Sequence, residues 1–191
     1  MLGAAAIVVA YVLGAITFGP LVAHARGVDL RAHGSGNIGA TNVGRVLGKR
    51  TGRMVLLLDA LKGTLAVVLA RALGASDAIV GAAAAAAVLG HCFPIFLRFR
   101  GGKGAATALG VTMPLDPFAA VAGGLGYVLL KRGTGLASAG SLTGVASALA
   151  TGYVLHGASP SVFALLAVAA IVVLRHRENI RRLARGEELP S

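Results

Sequence analysis

Seven apolar segments, separated by short polar ones, constrain this chain more than any other feature. They cover approximately residues 3–22, 54–73, 78–97, 104–113, 117–130, 138–155 and 160–174. A membrane-spanning helix needs about twenty apolar residues, with about seventeen as the lower limit. Hydrophobic residues make up 56% of the 191-residue chain and charged residues only 13%, whereas a soluble domain carries about a quarter charged residues. The sequence therefore predicts an all-α, polytopic membrane helix bundle that forms a single membrane-embedded domain over residues 1–191.

Two of the seven segments leave an alternative open. Segment 104–113 is shorter than a crossing requires, so a re-entrant segment is the alternative to a transmembrane helix there. The first segment is followed by Ala23-His24-Ala25, which resembles a signal-peptide cleavage site. No Lys or Arg precedes that segment, however, and a signal peptide has a positively charged start. We therefore predict an uncleaved first helix.

The basic residues indicate how the chain is oriented. The net charge is +11, but the basic residues lie in short segments between apolar runs rather than on a soluble surface, which argues against nucleic acid as a partner. With seven crossings, a cytoplasmic C-terminus and an outside N-terminus, sixteen of the eighteen Lys and Arg residues are cytoplasmic. Arg71 lies outside and Lys62 lies within the second span. The lone Cys92 excludes an intrachain disulfide, and no cofactor or metal site is predicted.

The first polar segment with an unusual composition covers residues 34–45, Gly-Ser-Gly-Asn-Ile-Gly-Ala-Thr-Asn-Val-Gly-Arg. Glycines allow backbone N–H groups to point at an anion, and Ser, Thr and Asn add neutral donors. Arg45 adds a charge whose fork geometry suits phosphate. The spacing also matches GxGxxG, but a membrane helix rather than a strand precedes it, which excludes a dinucleotide site. The residues predicted to bind here are Ser35, Gly36, Asn37, Thr41, Asn42 and Arg45.

The second polar segment contains Gly101-Gly102-Lys103-Gly104 immediately before an apolar helix. This arrangement predicts free N–H groups, a positive helix end and an ammonium group at one point, as in a phosphate site. It does not match a Walker A loop, because Gly104 stands where Ser or Thr would bind magnesium. The alternative is a cytoplasmic anchor, which explains nearby arginines but not three glycines. His91, inside an apolar helix, is expected to be a packed, hydrogen-bonded residue.

The third polar segment, residues 174–183, follows the last span. Helical spacing places His176 and Asn179 on one face, with Arg182 beyond them. A histidine there can act as a base or a hydrogen-bond donor near neutral pH. The alternative is a basic cluster that attracts anionic lipid.

Two further polar features lie at or within the spans. Asp59 and Lys62 are three residues apart in the second span, where each charge costs about 2.5–3.5 kcal/mol on insertion scales. They are expected to pair or to line a polar cavity. Ser138 and Ser141 begin the sixth span, where serines often cap a helix.

Together these segments resemble the PlsY family, the bacterial membrane glycerol-3-phosphate acyltransferases that use acyl phosphate as donor. The resemblance rests on residues 34–45, 59–63, 91–107 and 176–186, which occur in the family's order. One departure is that Gly135 and Leu136 stand where the family tends to have an Arg-aromatic pair.

The resemblance implies an enzyme of the bacterial inner membrane with seven crossings and a cytoplasmic active site. The implied reaction transfers a fatty acyl group from acyl phosphate to glycerol 3-phosphate, giving 1-acyl-glycerol 3-phosphate and phosphate, as the first step of phospholipid synthesis. No obligate protein partner is inferred.

Under this hypothesis the glycine-lysine segment cradles the acyl phosphate, assisted by Ser35 and Ser141, and Arg45 binds glycerol 3-phosphate. Asn37 and Asn179 orient the hydroxyl or donate to the oxyanion. The base is either His176 or the phosphate of the donor.

A transporter of organic phosphates is the main alternative, and a lipid-binding structural subunit is another. Transporters often contain internal repeats with binding segments at mid-membrane. This chain has no visible repeat, and its polar motifs cluster at one face, which favours an enzyme.

Overall fold

The computed structural model describes residues 2–191, and all regular structure in that range is helical. The ten α-helices are α1 (Leu2–Ala15), α2 (Phe18–His24), α3 (Ala40–Leu47), α4 (Lys49–Ala72), α5 (Asp77–Cys92), α6 (Ala105–Leu115), α7 (Pro117–Thr134), α8 (Ala137–His156), α9 (Pro160–Arg175) and α10 (Arg177–Arg185). A 3₁₀ turn, Ile95–Leu97, lies between α5 and α6. The predicted all-α class is confirmed.

The burial pattern of the bundle differs from that of a soluble protein, because small residues form the interior and large apolar residues cover the surface. Small residues of α4 and α5, such as Ala66, Ala83 and Ala87, are fully buried together with Cys92. Large apolar side chains point outward instead, for example Leu57, which is 66% exposed. An apolar exterior over a small-residue interior is the arrangement expected of helices surrounded by lipid.

Glycines bring two helix pairs into backbone contact. A Cβ added to Gly14 of α1 would collide with the carbonyl of Ala87 in α5. A Cβ on Gly110 of α6 would likewise collide with the carbonyl of Ala60 in α4. The small residues noted in the sequence therefore set how closely these helices approach.

The helix boundaries refine the sequence predictions. The first span is interrupted at Ile16 and Thr17, between α1 and α2, rather than continuous. By length and composition, Leu2–His24 and Asp77–Leu97 qualify as membrane spans, and Pro160–Arg175 joined to Arg177–Arg185 across a 60° bend is a third candidate. Helix α6 has 11 residues, about 16 Å at 1.5 Å per residue, against a hydrocarbon thickness of about 30 Å. The seven crossings and the orientation therefore stay predictions.

The intramembrane charges of α4 pair as expected. Lys62 Nζ lies 2.8 Å from Asp59 Oδ1, and the two side chains are 4% and 2% exposed. His91 of α5 is also buried, and its Nδ1 lies 3.0 Å from Lys62 Nζ. The expectation that His91 is packed and hydrogen-bonded is confirmed.

Candidate active site

The three polar segments meet in one cavity. Ser35, Lys103 and Asn179, which come from three distant parts of the chain, all line it. The other predicted site residues that line this cavity are Asn37, Thr41, Asn42, Arg45, Gly104, Ser141 and His176. Gly36, Gly101 and Gly102 do not line it.

The cavity has a polar end and an apolar arm. The polar residues above form one end, and the arm runs between α6, α7 and α8. The arm is lined by small or apolar side chains, among them Leu109, Ala120, Gly144 and Ala148. Such a shape suits a ligand with a charged head and a hydrocarbon chain.

Asn42 holds the first segment together. Its Oδ1 accepts from Ser35 N at 2.8 Å, and its Nδ2 donates to the carbonyls of Leu30 and His33 at 3.1 and 3.0 Å. The N–H of Gly36 also donates to His33 O. Neither the Asn42 amide nor the Gly36 N–H is therefore free for an anion, so the prediction of free donors at these two positions is wrong.

Hydrogen bonds to the end of α5 hold the second segment on one side. The N–H groups of Gly101 and Gly102 donate to the carbonyls of Cys92 and His91, both at 3.1 Å. The prediction that these two N–H groups are free was therefore wrong. Of the four residues 101–104, only Lys103 and Gly104 line the cavity.

Arg175 holds the same segment from the other side. Its Nε and an Nη donate to the carbonyls of Gly102 and Gly101, both at 3.1 Å. Its guanidinium also stacks over the Phe93 ring at 4.9 Å. The segment is therefore a clamped loop, and Gly104, with a φ of 79°, turns it into α6. A side chain at Gly104 would be strained at that φ and would contact Cys92 Sγ.

Lys103 is a partly buried ammonium in a basic environment. Burial lowers its pKa to about 8, nearby Arg182, Arg45 and Arg175 add to the decrease, and Glu188 opposes it. Close to neutral pH this group is charged and short of counter-ions, which is the state that attracts an anionic ligand.

His176 caps α9 and α10 with its side chain buried. Its Nδ1 lies 2.8 Å from the carbonyl of Val172, so that nitrogen carries the proton and Nε2 keeps its lone pair. Burial lowers the pKa of His176 to about 4, and the charge of Lys103 adds to this. The imidazole is therefore neutral at physiological pH.

Asn179 is oriented by an acidic residue that the sequence analysis did not select. Its Nδ2 donates to Glu188 Oε1 at 2.8 Å, while Arg182 Nε donates to Glu188 Oε2 at 2.9 Å. A carboxylate can only accept, which fixes the amide. The Asn179 Oδ1 is buried and has no hydrogen-bond partner among residues 2–191. The unpaired oxygen of Asn179 at the cavity is an acceptor. Its Nδ2 has a second N–H beside the one donated to Glu188, so donation from this amide to an oxyanion stays a prediction.

The sixth predicted span adds two serines. Ser141 Oγ donates to Ala137 O at 2.9 Å within α8. Ser138 Oγ also lines the cavity but is buried with no partner in the described chain, and such an orphaned group marks a place for a ligand. Gly135, at the family departure, ends α7, and its carbonyl accepts from Ser191 N and Oγ at 2.9 and 2.8 Å.

Three helices begin at this cavity. Residues of the first turns of α3, α6 and α8 line it, including Thr41, Ala105 and Ser138. Each N-terminus carries a partial positive charge and unpaired N–H groups. Together with Arg45 and Lys103 they make the polar end suited to more than one anionic group.

The sequence reasoning missed Glu188, Asp59 and His91 as cavity-lining residues. The signal for Asp59 was present, since an intramembrane charge was expected to pair or to line a polar cavity. Glu188 had a weaker signal, an acidic residue following the strongly basic stretch 175–185.

Comparison with known proteins identifies the family. Residues 4–186 match the family model described as glycerol-3-phosphate acyltransferase. The chain belongs to the glycerol-3-phosphate acyltransferase family. Relatives of that name are 48% identical in Anaeromyxobacter dehalogenans, over 98% of this chain and 96% of the relative, and 45% identical in Thermus thermophilus, over 95% and 92%.

Solved structures agree with this assignment. A crystal structure of PlsY, an integral membrane glycerol 3-phosphate acyltransferase, in its glycerol 3-phosphate form is 39% identical with a TM-score of 0.94, covering 99% of this chain and 95% of that one. The lysophosphatidic acid form of PlsY gives a TM-score of 0.91, covering 98% and 94%. The predicted resemblance, the membrane class and the acyltransferase activity are confirmed, and the transporter alternative is set aside.

Proposed function

We propose that this acyltransferase transfers a fatty acyl group from acyl phosphate to the 1-hydroxyl of glycerol 3-phosphate. The products are lysophosphatidic acid and inorganic phosphate. The observation that carries the proposal is a cavity whose cationic end, with Arg45 and Lys103, continues into an apolar arm. Both substrates carry a phosphate, and the donor also carries a hydrocarbon chain.

We assign the two phosphates to different helix starts. The donor phosphate lies at Lys103, Gly104 and the start of α6, next to the arm that takes its acyl chain. The phosphate of glycerol 3-phosphate lies against Arg45 and the start of α3. Ser35, Asn37 and Thr41 complete the polar end between them. This arrangement places a hydroxyl beside an activated carbonyl, which is the main contribution an enzyme makes when the leaving group is already good.

The reaction needs no covalent intermediate. The glycerol oxygen attacks the acyl carbonyl carbon, the C–O bond to phosphate breaks, and the phosphate leaves with that bonding pair. Asn179 Oδ1 accepts the hydrogen of the attacking hydroxyl and aligns it. The helix N-termini and the Ser138 hydroxyl stabilise the negative charge that develops on the carbonyl oxygen.

The proton of the hydroxyl has two candidate acceptors, His176 Nε2 and the departing phosphate. With a pKa of about 4, His176 is a weak base. Even a phosphate monoester has its second pKa near 6, well above that of His176, so the departing inorganic phosphate is the stronger acceptor. We therefore assign the proton to the departing phosphate, and we assign His176 a hydrogen-bonding role through Nε2.

Cell location follows from the same proposal. We place the polar end at the cytoplasmic face of the bacterial inner membrane, with seven crossings in a single domain, because the basic segments gather there. With acyl phosphate as the donor, phospholipid synthesis starts without acyl-CoA as the direct donor.

A purified enzyme tests the donor and the acceptor together. In detergent, phosphate release from acyl phosphate should depend on glycerol 3-phosphate and should match the lysophosphatidic acid formed. Acyl-CoA in place of acyl phosphate should give no product. Transfer from acyl-CoA without phosphate release would contradict the proposal.

A matched pair of lysine variants tests the site. Lys103→Met should lower kcat/KM by orders of magnitude, because oriented charge at the leaving phosphate is removed. Lys49→Met removes an exposed lysine at the start of α4 and should leave the rate unchanged. Equal effects of the two substitutions would show that Lys103 acts only through the net positive charge of this face.

A further inference from the structure

Lys62 joins three separate elements at a point buried beside the cavity. Its Nζ lies 2.8 Å from Asp59 Oδ1 within α4, 2.6 Å from the carbonyl of Ile16 at the break between α1 and α2, and 3.0 Å from His91 Nδ1 in α5. An ammonium group has three N–H donors. Lys62 therefore donates two hydrogen bonds, to Ile16 O and to His91 Nδ1, and forms an ion pair with Asp59. The interruption of the first span supplies the first of these two acceptors.

This arrangement determines the state of His91. An ammonium can only donate, so Nδ1 of His91 accepts and the neutral ring carries its proton on Nε2. The neutral ring, the ammonium and the Asp59 carboxylate together have no net charge, which suits a site inside the bilayer. Asp59 and His91 both line the cavity.

The Nε2 edge of His91 packs against the clamped loop. A Cβ added to Gly102 would collide with His91 Nε2, so the ring occupies the space beside that glycine. The backbone carbonyl of His91 also accepts from the Gly102 N–H at 3.1 Å. Arg175 holds the carbonyls of Gly101 and Gly102 from the other side. Gly102 is thus fixed between His91 and Arg175, directly before Lys103.

Packing alone does not explain this cluster. Apolar residues of similar volume usually stabilise a buried position as well as an ion pair does, because burying charges is costly. A set of ionic hydrogen bonds that ends against an active-site loop is instead suited to holding that loop in one position.

We propose that Asp59, Lys62 and His91 are positioning residues that fix the 101–104 loop at the polar end of the cavity. Lys62 orients the His91 ring, and the ring sets the position of Gly102 and thereby of Lys103. The inference rests on the proposed function, in which this loop holds the phosphate of the donor.

His91→Asn separates positioning from folding. The Asn oxygen takes the place of Nδ1 and still accepts from Lys62, but the part of the ring beside Gly102 is lost. We expect KM for acyl phosphate to rise at least tenfold, with KM for glycerol 3-phosphate and the thermal transition in detergent close to those of the unsubstituted enzyme. His156→Asn is the matched control. His156 is the last residue of α8, whereas the start of that helix lines the polar end of the cavity, so this substitution should change neither KM.

A double variant covers the case in which a single change prevents folding. Asp59→Asn with Lys62→Met removes both charges together and leaves no unpaired ion. It should keep the fold while raising KM for acyl phosphate, because His91 loses its donor. If His91→Asn and the double variant fold with an unchanged KM for acyl phosphate, or if neither folds, the cluster is structural and the positioning role is refuted.

A measurement without substrate separates this inference from the proposed function. The pH midpoint for labelling of Lys103 by an amine reagent, followed by peptide mass spectrometry, should lie near 8 and rise in His91→Asn as the loop moves into water. An enzyme that releases no phosphate from acyl phosphate but shows this shift contradicts the donor assignment alone. If the enzyme is active but His91→Asn changes neither the KM for acyl phosphate nor the pH midpoint for labelling of Lys103, the positioning role alone is contradicted.

Discussion

The lowered pKa of Lys103 predicts an alkaline limit on activity. Burial and three nearby arginines bring this pKa to about 8, against an ordinary value of 10.5. The protonated fraction then falls from about nine-tenths at pH 7 to about one-tenth at pH 9. If only the protonated enzyme binds the leaving phosphate, kcat/KM falls about tenfold over that interval.

The quantity to measure is kcat/KM for acyl phosphate, because it reports the free enzyme. Assays at closely spaced pH values from 6.5 to 10, corrected for spontaneous hydrolysis of the donor, give the midpoint. The phosphate of glycerol 3-phosphate has its second pKa near 6, so its charge is constant above pH 7.5. His176, with a pKa of about 4, stays neutral over the whole range. The decrease above pH 7.5 therefore reports Lys103.

Lys103→Arg is the control for this assignment. A guanidinium stays charged throughout the range, so the variant should be slower because its geometry differs, but its rate should not fall near pH 8. An alkaline limb with the same midpoint in the enzyme and in Lys103→Arg would refute the assignment.

Two further substitutions and one truncation have expected outcomes. Glu188→Gln should lower kcat/KM by about ten- to a hundredfold, because hydrogen bonds to a charged group contribute about 1.5–3 kcal/mol and the Asn179 amide loses its fixed orientation; an unchanged rate would contradict this. Gly110→Ala should lower stability by about 1–3 kcal/mol through overpacking against α4, seen as a lower thermal transition, whereas Gly133→Ala has open space and should not. Removal of residues 189–191 should lower KM for glycerol 3-phosphate severalfold, because Arg45 now donates to the carbonyls of Leu189 and Pro190 at 2.7–3.0 Å; an unchanged KM would mean that this contact does not compete with substrate.

The helical class and the meeting of the polar segments followed from the sequence because both depend on composition along the chain. Apolar runs have few alternatives to helices in lipid. A Gly-Lys-Gly sequence before an apolar run is a local signal for a helix start, and α6 does begin at Ala105. Ser35, Lys103 and Asn179 lie in the segments where the unusual polar residues gather.

The direction of individual hydrogen bonds did not follow from the sequence. Asn42, Gly101 and Gly102 were assigned free donors, but their partners are carbonyls that only the fold brings near. Glu188 was missed because its role depends on a turn after α10 that returns the chain to Asn179. Identifying which groups are already paired requires knowing which loops touch, and residue types do not encode that.

The single buried cysteine gives this protein a practical advantage for mapping its orientation. Cys92 is inaccessible to solvent, so a thiol introduced elsewhere would react with a maleimide without background. Arg132→Cys and Ala158→Cys place exposed thiols near opposite ends of α8. In intact bacteria an impermeant reagent should label the second and spare the first until the cells are broken.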